Sequence, residues 1–130
     1  MTRVLIVFGA GGLGCVARYL ISLWAGERFG TAFPHGTLIV NLIGSFLIAL
    51  VLEISLRVAS FPDELRLALT TGFIGSFTTY SSFNFETTTL AQTDNFAGAA
   101  TNVAATLVGC LAAGLLGLLL ARAVTPTPAG

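Results

Sequence analysis

The chain has 130 residues, 55% of them hydrophobic and 9% charged, with six basic residues balanced by six acids, so its formal net charge is zero. Soluble domains carry about 25% charged residues, and a mean hydropathy of +0.89 excludes an ordinary aqueous fold. The basic residues are all arginine and form no patch that would mark nucleic-acid binding, and a single histidine cannot build a metal site alone. Neither a nucleophile–base pair nor a metal cluster appears, which argues against an enzyme.

Four apolar segments follow one another, each near the roughly 20 residues that cross a bilayer core. The first runs from Val4 to Ala25 and reads as a retained span rather than a signal peptide, since no small-residue cleavage site follows it. Within it, Gly9 to Gly14 matches G-x-G-x-x-G after an apolar run. A dinucleotide fold would need a second strand ending in an acid about 20 residues further on, and there the chain has Pro34 and His35. The glycines therefore read as close packing between membrane helices. Cys15, in this span, and Cys110, in the last, read as small buried hydrophobes rather than a disulfide. Arg18 is the one basic residue well inside a span. It must face protein or water, or snorkel to the interface.

The second segment, Thr37 to Leu56, carries Thr37, Asn41 and Ser45 on one helical face. An Asn amide offers two N–H donors that lipid cannot satisfy, so Asn41 bonds either across helices or to a ligand. Gly44 beside it permits close backbone approach. Near the segment's end Glu53 and Arg57 form an i,i+4 pair.

The third segment, Leu65 to Leu90, opens after Pro62-Asp63-Glu64, which suits the start of a helix. At Thr70 to Glu86 it becomes chemically odd. Gly72 and Gly75 precede a run in which hydroxyls alternate with Phe77, Tyr80, Phe83 and Phe85. Strained backbone at membrane depth is tolerated only where protein buries it or a wet cavity adjoins it. Tyr80 and Phe83 share part of one face, where their positive ring edges could meet a small anion together with Asn hydrogens and hydroxyls. Plain aromatic packing is the simpler reading of that spacing. Glu86, one turn beyond Ser82, reads as an interfacial acid or a pathway residue.

The fourth segment, Phe96 to Ala121, repeats the polar stripe in Asn102, Thr106 and Cys110, either as interhelical glue or as a track. The expected organisation is one transmembrane domain over residues 1–124 and a Pro-rich, disordered tail over 125–130. With the N-terminus inside, Arg3, Arg57, Arg66 and Arg122 lie on the cytoplasmic side and Arg28 outside, as the positive-inside rule favours.

Three motifs in order carry a resemblance across all four spans: Gly11-Gly12-x-Gly14-x-x-x-Arg18-Tyr19, Gly36-Thr37-Leu38-x-x-Asn41-x-x-Gly44-Ser45-Phe46, and Gly72-Phe73-x-Gly75-x-x-Thr78-Thr79-Tyr80-Ser81-x-Phe83. In these the chain resembles the Fluc (CrcB-type) fluoride channels. The resemblance implies an all-α integral membrane protein of four transmembrane helices, the third broken mid-membrane. It implies an antiparallel dual-topology homodimer with two pores, passing fluoride passively out of the cytoplasm across the cell membrane; the arginine bias toward N-in departs from dual topology and leaves a paired, oppositely biased homologue as the alternative. The pathway it implies here comprises Asn41, Thr79, Tyr80, Ser81, Ser82, Phe83, Asn102 and Thr106, with Arg18 and Glu86 at its margins. It also implies that the break, Gly72 to Thr79, holds a structural, non-transported sodium ion through the backbone carbonyls of Gly75 and Thr78, a hard-cation donor set. Position 80 departs from the family's usual Phe by a hydroxyl, and Ser82 stands where Thr is common. The rival reading is a small four-helix proton-coupled exporter of multidrug or guanidinium type. That chemistry needs an acid embedded in the first span, which this span lacks.

Overall fold

The computed structural model describes residues 1–125, and within them every regular element is helical. Helix α1 covers Thr2–Phe29, α2 His35–Arg57 and α6 Phe96–Val124; each is long and apolar enough to cross a membrane. Each reaches a few residues beyond its expected span. The expected third span is interrupted. It comprises a short α3 (Asp63–Leu67), a π-helical segment Ala68–Ile74, a single turn α4 (Gly75–Phe77), and then α5 (Tyr80–Gln92). The Pro-rich tail expected to be disordered lies outside the described residues except for Thr125, which ends α6.

The links are short and their chemistry is local. Gly30 leaves α1 with φ 78°, a left-handed conformation that glycine adopts without penalty. Thr93-Asp94-Asn95 joins α5 to α6, with Asp94 left-handed at φ 59° and the Asn95 side chain accepting from the Gly98 N–H at 2.9 Å. Asn is favoured at such a cap because its side-chain oxygen replaces a missing helical partner.

Helix α2 packs most extensively along α6, and α1 along the π-helical segment. Small residues permit both approaches. A Cβ on Gly117 would run into the Phe46 carbonyl, and one on Gly14 into the Phe73 carbonyl and the Ser76 side chain. The glycine cluster of the first span is thus a packing device, as its composition suggests. Only Gly11 and Gly14 face the neighbouring backbone, however, and Gly9 and Gly12 look onto open space.

Burial is inverted relative to a soluble protein. The fully buried positions include Val40, Ala25, Ala121 and Asn102, whereas Leu5, Phe8, Leu111 and Leu116 are exposed. That is the pattern of a chain whose outer surface meets lipid and whose helix contacts are small and polar. Cys15, expected to be buried, is instead exposed, and Cys110 is half-buried; both are free thiols. The i,i+4 pair of Glu53 and Arg57 forms at 2.7 Å, and Arg122 joins the same carboxylate oxygen at 2.9 Å, tying α2 to α6.

The α2–α6 contact offers a direct test. Gly117→Ala should destabilise the detergent-solubilised protein by about 1–3 kcal/mol, the usual effect of overpacking. Gly26→Ala, whose new methyl meets nothing within 4 Å, should leave thermal stability unchanged. Equal melting behaviour of the two variants would show that the α2–α6 approach is not tight.

Candidate ion pathway at the helix break

The break falls at Thr78 and Thr79, whose backbones are extended (φ −76°, ψ 156° and φ −149°, ψ 115°). The sequence suggested a break over Gly72 to Thr79; within that stretch both glycines are helical and the chain opens only after Phe77. The cause is Asn41. Its Nδ2 donates to the Thr79 carbonyl at 3.0 Å and its Oδ1 accepts from the Thr79 N–H at 2.9 Å. One amide side chain thus pairs with both backbone groups of one residue, as a neighbouring strand would. The opposite amide orientation would set donor against donor, so the assignment is unique. Gly44, one turn along α2, makes room: a Cβ there would collide with the Thr78 methyl.

Beyond the break α5 restarts with Thr79 as its cap. The Thr79 hydroxyl accepts from the Ser82 N–H at 3.2 Å and lies 3.0 Å from the Ser82 hydroxyl and 3.2 Å from that of Ser81. These bonds decide what happens to the carbonyls before the break. The helical donor for Gly75 is the Thr79 N–H, now taken by Asn41, and the donor for Thr78 is the Ser82 N–H, now taken by Thr79 Oγ1. The Ser76 carbonyl is covered instead by Arg18, whose Nε donates to it at 3.2 Å. Arg18 therefore neither snorkels freely nor hangs in a cavity; it caps the broken helix from α1. Its other contact is from Nη2 to the Cys15 sulfur at 3.8 Å. Ser76 completes this junction, with its hydroxyl 2.8 Å from the carbonyls of both Gly11 and Gly72.

A pocket of about 490 Å³ opens at the break. Of the residues singled out from sequence, Asn41, Gly75, Thr78, Thr79, Tyr80, Phe83 and Thr106 line it together. The Tyr80 and Phe83 ring centroids are 5.6 Å apart and tilted by 51°. Phe83 is buried, whereas Tyr80 is 78% exposed. Thr106 presents a buried hydroxyl with no partner among the described residues. Asn41 brings one free amide proton to the pocket rather than two, because Thr79 holds the other.

The remaining candidates lie elsewhere. Asn102 is 1% exposed and donates to the Thr87 hydroxyl at 2.8 Å, which is the interhelical-glue reading of its stripe. Ser81 and Ser82 belong to the cap of α5. Glu86 accepts from the Thr37 hydroxyl at 2.7 Å, while its other oxygen is buried without a partner among the described residues. It faces a separate pocket of about 280 Å³ that also contains His35, whose Nδ1 is likewise buried and unpartnered. Sequence reasoning missed Ser76 and Thr87. Ser76 had a signal, the small-x-x-x-small spacing from Gly72; Thr87 looked like any helix-borne hydroxyl.

The sequence profile of the CrcB-like proteins, described as "Camphor Resistance (CrcB)", matches residues 5–118. The chain belongs to the CrcB-like family. Among curated relatives, the fluoride-specific ion channel FluC of Geobacter metallireducens is 46% identical over 122 residues, covering 94% of this chain and 98% of the relative. FluC of Anaeromyxobacter dehalogenans is 50% identical with 94% and 97% coverage, and FluC of Sorangium cellulosum 50% with 86% and 88%. Membership of this family, with three helices fit to cross a bilayer, makes the protein a multi-pass component of the cell membrane.

Asn41→Asp isolates the clamp. A carboxylate would point an oxygen at the Thr79 carbonyl where a donor is required, leaving a buried acceptor pair in repulsion. Stability should fall by about 2–4 kcal/mol, measured by thermal denaturation in detergent. Wild-type stability in this variant would mean that the Asn41–Thr79 pairing does not hold the break.

Proposed function

We propose that the protein is a fluoride-selective channel that lets fluoride leave the cytoplasm passively. The observation carrying this reading is the pocket at the break. It joins one free Asn41 proton, the orphaned Thr106 hydroxyl and the Tyr80–Phe83 ring pair, in a chain closely similar to proteins named as fluoride channels. Neutral donors and ring edges attract a small anion without trapping it, which is what conduction requires. Ser81 and Ser82 support the pocket from the cap of the following helix; Asn102, sealed against Thr87, acts on it only through packing, Arg18 by capping Ser76, and Glu86 from its separate pocket. No covalent step is involved, so the protein is a channel and not an enzyme.

The working unit in this proposal is an antiparallel dual-topology homodimer of four-span subunits, with two pores. Support comes from the pocket's open side, where the exposed Tyr80 and Leu111 stand beside polar lining groups. Facing lipid, those polar groups would be poorly satisfied, whereas a second copy could cover them. The proposed structural sodium fits the donor set. The carbonyls of Gly75 and Thr78 have lost their helical donors and both residues line the pocket. Two such pairs around a symmetry axis offer a small hard cation four oxygens. The exporter reading is not favoured, because the acid of α1 is Glu27, in its last turn.

Liposomes containing only this protein should release fluoride down its gradient and retain chloride. Equal release of both ions, or of neither, would refute the channel. Replacing sodium on both sides by N-methylglucamine should reduce the flux or dissociate the dimer; a preparation indifferent in both respects would remove the ion from Gly75 and Thr78.

A further inference from the structure

At the end of the bundle where α1 and α3 begin, a pocket of about 270 Å³ is lined by Arg3, Asp63, Arg66, Thr70, Thr71 and two leucines. The arginines at this end are not equivalent. Arg57 and Arg122 are both engaged by Glu53. Arg3 has no ion-pair partner among the described residues, and Arg66 gives a single N–H, Nη2, to Asp63 Oδ1 at 2.7 Å. A guanidinium carries five N–H donors, so most of those on Arg66 remain available. The uncommitted positive charge therefore converges on this one pocket.

Thr70 stands at the wall of both this pocket and the larger one at the helix break, which contains Asn41, Thr79, Tyr80 and Phe83. Its hydroxyl donates to the Arg66 carbonyl at 2.7 Å, so the position of Thr70 is coupled to the helix turn that carries the guanidinium.

We propose that Arg3 and Arg66 form an anion-collecting mouth, which draws small inorganic anions from the aqueous phase and delivers them past Thr70 to the break. This rests on the channel reading above. A cleft lined by one sign of charge raises the local concentration of the opposite ion. Because the side chain of Arg66 is 41% exposed, water and salt screen the site, so it attracts anions without holding them. The exposed Asp63 carboxylate opposes the two arginines and sets how much of their charge is felt.

The test is initial fluoride flux in liposomes of zwitterionic lipid, at low ionic strength with gluconate as the impermeant anion. The double variant Arg3→Gln/Arg66→Gln should raise the half-saturating fluoride concentration roughly two- to fivefold, less than the tenfold or more of unscreened focusing clefts because the site is exposed and opposed by Asp63, with the saturating flux unchanged. The difference should fade as ionic strength passes about 0.15 M, where the Debye length is about 8 Å. Asp63→Asn, a change at an exposed carboxylate, should shift half-saturation the opposite way and keeps the idea testable should the double variant fold poorly. A wild-type protein that conducts no fluoride overturns the channel reading itself. Conducting wild type with unshifted Arg and Asp variants overturns only the mouth. Flux defects that appear only when anionic lipid is added would assign the arginines to a lipid headgroup and overturn it equally.

Discussion

The pairing of the Asn41 amide with both backbone groups of Thr79 is the constraint on which the rest of the site depends. A helix opened at membrane depth exposes an N–H and a C=O to a medium that offers neither partner, and each unsatisfied group costs several kcal/mol. Water is the usual remedy in soluble proteins. Here one side chain from a neighbouring helix supplies a donor and an acceptor at the spacing of a peptide group. Measured interhelical hydrogen bonds in membranes average only about 0.6 kcal/mol. The role of Asn41 is therefore better judged by the penalty it avoids than by attraction it adds.

With the break held, its neighbours have little freedom. The carbonyls ahead of it lose their helical donors in a fixed order, and Arg18 can reach only the one at Ser76. A full charge is thereby employed as a cap, which accounts for an arginine inside a span without asking it to bind anything. Gly14 and Gly44 allow α1 and α2 to approach from opposite sides. Ser76, with one proton and three carbonyls within 3.0 Å, can serve one of them at a time. The junction is consequently polar, close-packed and built almost wholly from backbone acceptors.

The three unbroken spans were legible from hydropathy alone, because a run of apolar residues of bilayer length has few other uses. The oddity of the third was legible too: glycines, hydroxyls and aromatics together contradict a lipid-facing helix. The break was legible as the stretch Gly72 to Thr79, and it opens at the far end of that stretch, at Thr78 and Thr79. Glycine marks permissive backbone, and Gly72 and Gly75 drew attention for that reason. The opening is held instead by Asn41, a residue remote in sequence that meets Thr79 only through tertiary packing. Asn41 itself was noticed for its donors, and its acceptor oxygen proved equally important. Asn102 and Asn41 looked alike on their stripes, and only packing separates them. One reaches the Thr87 hydroxyl and is sealed; the other reaches a backbone and remains at a pocket wall.

The placement of charge and hydroxyl explains how such a wall could suit a weakly held anion. Around α5, Thr87, Thr88 and Thr89 return their hydroxyl protons to carbonyls one turn back, so they add little to any polar surface. At the break the outcome differs, because Thr79 spends its oxygen on the helix cap and Thr106 finds no acceptor. The groups left over at the pocket are thus few and neutral. Tyr80 lies against Phe83 on one side and is open on the other. Whatever covers Tyr80 must also satisfy its phenolic O–H, the group that distinguishes this ring from a phenylalanine. A second copy of a chain already rich in interhelical hydroxyls can do so, and hydrocarbon cannot.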